Sequence, residues 1–248
     1  MLTSNEQLRY SRQLLLKGFS ETEQLQLKNA KVLIVGLGGL GNPVAMYLAA
    51  TGVGQLILAD GDNIDVTNLQ RQVMFHTEQV GENKAEIAFQ HLTKLNPEID
   101  IEVIDEMLDD EQLDYYASEM DLIIDCTDNL STRYAINLAC VNHKTPLISG
   151  AAIRFEGQLF VINPTADDYA CYECFYPKNK GEPALNCSTA GVLGPVLGVI
   201  GSMQALEAIK LLTKKQTSAN KIKLFDGLSG QWQEFKIGKR SNCICNNK

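Results

Sequence analysis

The hydrophobic pattern switches repeatedly between a strand period and a helix period. Val32–Val35 is a short β-branched run, long enough for a buried strand and too short for a helix. Asn42–Ala50 then offers Val44, Met46, Tyr47 and Leu48 for packing and reads as a helix, and Gln55–Ala59 as a second strand. Helices over Glu82–Leu95, Glu111–Glu119 and Ser131–Asn142 interleave with strands over Ile99–Ile104, Leu122–Ile124 and Thr145–Ala152. Gly157–Ile162 follows as the return arm of a hairpin turned by Arg154–Glu156. Ahead of the first strand, Asn5–Leu16, capped by Ser4, and Glu21–Lys28 read as helices. Pro195–Leu212 is a late helix, and Lys221–Asp226 and Gln231–Ile237 close the chain as a strand pair. Alternation of this kind predicts an α/β fold: a doubly wound, mostly parallel, Rossmann-like sheet with an antiparallel C-terminal extension.

Polar segments between these elements carry the candidate chemistry. Gly36-Leu37-Gly38-Gly39-Leu40-Gly41 fits G-x-G-x-x-G between the first strand and its helix, and Asp60 ends the second strand about 20 residues on. Such a loop brings backbone close to a phosphate, and an acid there accepts a ribose hydroxyl. The stretch after Asp60 has neither period and holds Asn68, Gln70 and Arg71. A loop of that length beyond a nucleotide-binding strand is a place for ligand residues. Lys84 falls in a helix's first turn, where its charge opposes the dipole; a bound anion or a surface accident accounts for it equally. Asp128 and Asn129 follow the fourth strand, at the sheet edge where ligands bind, and either can cap the next helix. On pattern alone, Arg9 and Arg12 are a solvated helix face.

Composition narrows the setting. The 248 residues are 45% apolar and carry a net charge of −8. That argues for one large globular unit, with neither nucleic acid nor an anionic membrane as main partner. No N-terminal apolar stretch resembles a signal peptide, and Val192–Met203 is broken by Gly194, Pro195, Gly198 and Gly201, so a packed helix is expected rather than a membrane span. Seven cysteines without a secretory signal point to a reducing, cytoplasmic setting and to metal or thiol chemistry. Cys171-x-x-Cys174 and Cys243-x-Cys245 suit a closed tetrahedral zinc site that ties residues 163–189, read as a mobile, exposed crossover segment, to the C-terminus. A redox pair at Cys171/Cys174 and unliganded thiols are the alternatives. Cys126 and Cys140 read as inert packing residues. Cys187 sits in a loop just before an apolar helix, where a thiolate would be favoured; a small loop residue without chemistry is the other reading. His76, His91 and His143 make no metal spacing.

Taken together, the glycine loop with Asp60, Asn68-Leu69-Gln70-Arg71-Gln72, Lys84, Asp125-Cys126-Thr127-Asp128-Asn129, the two cysteine pairs and Arg9-Tyr10-Ser11-Arg12-Gln13 resemble the ubiquitin-activating-like adenylating enzymes of the ThiF/MoeB group. The resemblance runs over essentially the whole chain. Cys171–Pro177, Asn186–Gly191 and Leu224–Gly227 are most similar to members acting on the thiamine sulfur carrier, with molybdopterin members the near alternative. It implies one adenylating domain over 1–248: N-terminal helices to 30, a nucleotide core over 31–152, and a crossover segment, zinc site and carrier-binding sheet over 153–248. It further implies ATP on Gly36, Gly38, Gly39 and Gly41 with its ribose on Asp60, and with Asn68, Gln70 and Asn129 alongside. Asp128 would hold Mg²⁺, Arg71 and Lys84 would neutralise phosphates, and Arg12 would reach the site from the other subunit of a homodimer. The substrate would be a small ubiquitin-like sulfur carrier ending in Gly-Gly, joined after activation to Cys187, with a sulfur donor protein as a further partner. The C-x-C tail departs from the group's usual C-x-x-C. An NAD-dependent oxidoreductase shares the glycine fingerprint, and a non-catalytic zinc scaffold shares the fold; binding of ATP·Mg or of NADH separates them.

Overall fold

A computed structural model of the protein describes residues 1–166, 168–178 and 190–246. One eight-stranded sheet runs in the order β3-β2-β1-β4-β5-β6-β7-β8. Strands β1 (Lys31–Val35), β2 (Gln55–Ala59), β3 (Asp100–Ile104), β4 (Leu122–Asp125) and β5 (Leu147–Ile153) are parallel. Strands β6 (Glu156–Ile162), β7 (Lys221–Asp226) and β8 (Gln231–Lys236) extend the sheet antiparallel.

Alternate side chains of the central strands feed two separate cores. Val32 and Ile34 of β1, Leu56 and Leu58 of β2 and Leu122 and Ile124 of β4 face one layer. Leu33 and Val35, Ile57 and Ala59, and Ile123 face the other. Strands buried on both faces carry unbroken apolar runs, which is why these segments lack the polar alternation of a half-exposed sheet. The first layer is covered by α3 (Glu21–Lys28), α4 (Gly41–Thr51), α5 (Lys84–Leu95) and α9 (Gly194–Leu212). The second is covered by α6 (Asp110–Glu119), α7 (Leu130–His143) and the short α8 (Tyr172–Phe175). Each fully buried Leu or Ile contributes roughly 1.5–3 kcal/mol, so a one-residue slip of a central strand, which exchanges its two faces, is strongly disfavoured.

Two expectations need correction. The N-terminal segment is not one helix but α1 (Ser4–Arg9) and α2 (Ser11–Leu14), and Thr3 rather than Ser4 is the cap, exchanging hydrogen bonds with Glu6. The break falls at Tyr10, which turns inward so that its hydroxyl accepts from Asn96 Nδ2 at 2.9 Å and its ring lies against Gly52. The crossover segment, where described, is docked rather than exposed: Tyr169, Ala170, Cys171, Tyr172 and Cys174 are buried in the second core. Its apolar content is too local to show a period, so burial is invisible until the fold supplies the neighbours. Residues 179–189, with Cys187, lie outside the described residues.

By length and composition α9 is apolar enough to cross a membrane. It instead lays Val196, Leu197, Ile200, Ala205 and Ala208 into the first core, and its buried Gln204 and Glu207 find polar partners inside the protein. A Cβ at Gly201 would stand 2.5 Å from the Leu40 carbonyl oxygen. Helix α9 therefore crosses tightly over the start of α4, where the glycine loop ends.

Candidate active site

At the carboxyl ends of β1, β2 and β4 the chain leaves a cavity of about 630 Å³. Gly36, Gly38 and Gly39 form its floor with Asp60, Asp62, Asn68, Arg71, Gln72, Lys84, Asp128 and Asn129 around them. The glycines differ in purpose. Gly36 has φ +90°, and a Cβ there would stand 3.0 Å from the Cys126 carbonyl oxygen. A Cβ on Gly41 would stand 2.0 Å from the Gly36 carbonyl oxygen, so Gly41 permits strand and helix to meet but does not itself line the cavity. The resulting loop lies against the N-terminus of α4, whose unpaired N–H groups and partial positive charge suit an anion.

Asp60 completes the floor. Its carboxylate accepts from Leu37 N at 2.6 Å and from Asp62 N at 2.9 Å. Burial pushes this carboxyl above its ordinary range, against the pull of Lys84 and the two backbone donors. Asn42, a polar residue within the first turn of an apolar helix, ties two segments together. Its Nδ2 donates to Leu37 O at 2.7 Å, and its Oδ1 accepts from Met74 N at 2.8 Å. Asn42 is not among the residues the sequence pattern marks, although a lone Asn in such a place is a usable signal.

The loop over 61–83 is ordered by its own backbone. Ile64 N donates to Glu82 O, Gly81 N to Ile64 O, and Lys84 N to Asp62 O. A short turn at Val66–Asn68, capped by Asp65, sets Asn68, Arg71 and Gln72 along one side. Residues three and four apart share a face, and a residue two apart does not. Gln70, named from the sequence, accordingly points outward and does not line the cavity. Gln72 takes that place: it donates to Asn68 Oδ1 at 2.7 Å, and its own Oε1 is buried with no partner among the described residues. Arg71 is steadied by a bond from Nη1 to Thr67 O at 3.0 Å. Lys84, buried, holds Asp62 at 2.8 Å, with Asn83 capping its helix.

Across the cavity the alternatives for Asp128 and Asn129 separate. Asn129 is the cap of α7, accepting from Thr132 N at 2.9 Å. Asp128 is exposed and meets no hydrogen-bond donor or cation among the described residues. At the far end Tyr134, Tyr172 and Tyr176 form an aromatic wall that the sequence reading did not anticipate. Tyr176 donates to Gln158 Oε1 at 2.6 Å, and Lys178 lies 5.1 Å over the Tyr134 ring. Arg12 is exposed on α2 and does not line its own chain's cavity.

Away from the cavity, Cys171, Cys174, Cys243 and Cys245 are buried with their sulfurs all within 4.8 Å of one another. Cys171 and Cys243 stand 3.4 Å apart, Cys174 and Cys245 3.5 Å. Thiolates around a tetrahedral metal with bonds of about 2.3 Å would be about 3.8 Å apart. The four thiols fit such an ion, and the short turn at Ile244–Asn246 lets the C-x-C pair present both sulfurs to one point. Burial pushes the Cys126 and Cys140 thiols up, in keeping with packing roles. The His76 and His91 rings lie 5.3 Å apart, tilted, and His143 pairs with Asp114; none joins the thiol cluster.

Comparison with known proteins agrees with this architecture. The chain is 48% identical over 239 residues to the sulfur carrier protein ThiS adenylyltransferase of Escherichia coli (strain K12), covering 96% of this chain and 94% of that protein. It is 45% identical over 246 residues to the molybdopterin-synthase adenylyltransferase of the same organism, covering 98% of each. The crystal structure of E. coli MccB with ATP superimposes with a TM-score of 0.82 at 29% identity, over 98% of this chain and 75% of that one. The ThiF family profile matches residues 10–247, and the chain belongs to the ThiF family.

Proposed function

We propose that this protein uses ATP to adenylate the C-terminal glycine of a small ubiquitin-like sulfur carrier of the ThiS type, releasing pyrophosphate. The observation that carries this reading is the convergence of Asp60, Arg71, Lys84 and Asp128, the last without a partner among the described residues, around one glycine loop. Two cations and such a carboxylate suit a triphosphate with its divalent cation. The 45% identity to a molybdopterin-synthase adenylyltransferase favours the molybdopterin carrier as the second reading.

In the proposed reaction the Gly36–Gly41 loop and the start of α4 receive the phosphates, and Asp60 accepts from the ribose. Arg71 and Lys84 lie against the β- and γ-phosphates, and Lys84 must then share its charge between Asp62 and the nucleotide. A hard cation prefers oxygen ligands and keeps several waters, so Asp128 is the residue that would hold Mg²⁺, which neutralises charge between phosphates. The carrier's terminal carboxylate is already an anion and needs no general base. Its oxygen bonds to the α-phosphorus as the bond to the bridging oxygen of pyrophosphate breaks. The chain's task is to align these groups and stabilise charge on the leaving group. The aromatic wall of Tyr134, Tyr172 and Tyr176 would line the approach of the carrier's tail to the α-phosphate.

The same reading makes the four-cysteine cluster a structural Zn²⁺ site, since four thiolates leave no open coordination position. It also makes the protein a homodimer in which Arg12 serves the neighbour's cavity. Exposed Leu8, Leu15 and Leu16 flank Arg12, and apolar side chains at such a place suit burial against a second copy. Residues 1–248 act as one adenylating unit, with 1–30 at the dimer face, 31–152 for the nucleotide and 153–248 for the carrier and zinc. The deciding experiment is carrier-dependent exchange of labelled pyrophosphate into ATP with each candidate carrier. Exchange with neither carrier, in protein that binds NADH, overturns the reading.

A further inference from the structure

Beside the Asp128 carboxylate lies a charged pair to which the proposed chemistry assigns no step, although its Arg133 also lines the cavity. Asp125 ends β4 and Arg133 stands in the first turns of α7; both are buried. Their charged atoms are 3.6 Å apart. Removing two charges from water is costly, and a well-packed apolar pair often serves stability as well or better. What the pair holds is therefore informative. Asp125 Oδ1 accepts from Thr127 N at 3.0 Å and from Thr127 Oγ1 at 2.7 Å. Arg133 Nη2 donates to the Thr127 carbonyl oxygen and to Gly150 O, the latter at 2.7 Å. Ser149 joins the two, donating to Asp125 Oδ2 at 2.6 Å and accepting from Arg133 Nη1 at 3.3 Å.

All these bonds fall on the two segments where the sheet opens. The last register pair between β4 and β5 is Asp125↔Ser149; beyond it the chains diverge to form the cavity rim. Thr127 is gripped on its N–H by Asp125 and on its carbonyl by Arg133, one residue before Asp128. From the other side the loop is pressed on Gly36, where the Cys126 carbonyl leaves no room for a Cβ. The rim carrying Asp128 is thus clamped at its backbone while the Asp128 side chain has no partner among the described residues.

Resting on the adenylation reading above, we infer that Arg133 is a positioning residue: by fixing the Thr127 backbone against Asp125 and Ser149 it holds the Asp128 carboxylate opposite the glycine loop for a phosphate-bound divalent cation. Ribose recognition, proposed at Asp60 on the end of β2, makes no hydrogen bond with this clamp among the described residues.

The test compares Arg133→Lys and Ser149→Ala with the wild type. Ser149→Ala keeps both buried charges and is the informative variant if Arg133→Lys does not fold. Three quantities are read: Mn²⁺ binding by electron paramagnetic resonance with a non-hydrolysable ATP analogue present, metal-free AMP affinity by calorimetry, and the rate of carrier-dependent pyrophosphate exchange. Displacement of a reacting geometry by even 1 Å can cost about a hundredfold, so a loosened clamp is expected to weaken Mn²⁺ binding and slow exchange by about tenfold or more, with AMP affinity within about twofold. Unchanged Mn²⁺ binding in folded variants, or loss of AMP affinity in step with Mn²⁺, overturns the inference. Should wild type exchange no pyrophosphate with any carrier, the adenylation reading fails, while the Mn²⁺ and AMP comparison still decides the role of Arg133.

Discussion

Removing the ion from the four-cysteine site should lower the melting temperature by many degrees while sparing the chemistry. The cluster joins residues 72 and 71 positions apart in sequence, Cys171 with Cys243 and Cys174 with Cys245. Cross-linking a loop of that size removes unfolded-state entropy worth about 4 kcal/mol at 25 °C. For a chain of this length each kcal/mol moves the midpoint by about 2–4 °C, which predicts a drop of roughly 8–16 °C. The four thiols are buried in the second core and none lines the cavity, so residual exchange activity below the new midpoint should stay within a few-fold of the native rate. The assay is differential scanning calorimetry of protein before and after chelation, with zinc counted by elemental analysis, repeated on Cys243→Ser. Purified protein that holds no zinc and titrates four free thiols, or a shift under about 3 °C on verified removal, would refute the argument, because the loop-closure term alone exceeds that.

Asp128→Ala should fold normally, since the side chain is exposed and has no partner among the described residues, and should reduce pyrophosphate exchange by several kcal/mol of transition-state stabilisation; near-native exchange would reassign the residue. Mixing Arg12→Ala with Asp128→Ala chains by co-refolding should restore part of the activity if Arg12 serves the neighbouring subunit, because one composite site in each mixed dimer is intact; no recovery argues against a shared site. Gly41→Ala drives a methyl to 2.0 Å from the Gly36 carbonyl oxygen and should cost about 1–3 kcal/mol or more in stability and weaken AMP binding measured by calorimetry. Cys187→Ser should keep pyrophosphate exchange but lose any thiol-sensitive covalent carrier adduct, read by mass spectrometry; an adduct that persists makes Cys187 structural.

The sequence by itself determined the alternation of elements, the parallel core and the glycine loop, because β-branched runs, Gly spacing and helix periods are local properties that each segment expresses alone. It also marked the two cysteine pairs and, as candidates, Asp60, Arg71, Lys84 and Asp128, all four of which line the cavity. Only the tertiary structure decided which neighbours face inward. A turn at Val66–Asn68 sent Gln70 out and Gln72 in, a choice set by i, i+3, i+4 geometry in a stretch with no periodic signal. The inward turn of Tyr10 split the first helix because Asn96 and Gly52, distant in sequence, make its pocket. Residues 169–174 became core through contact with α7 and the C-terminal cysteines. The clamp of Asp125, Arg133 and Ser149 likewise joins residues up to 24 positions apart. Apart from the local turn at Val66–Asn68, each of these depends on contacts between segments whose meeting follows from the winding of the sheet.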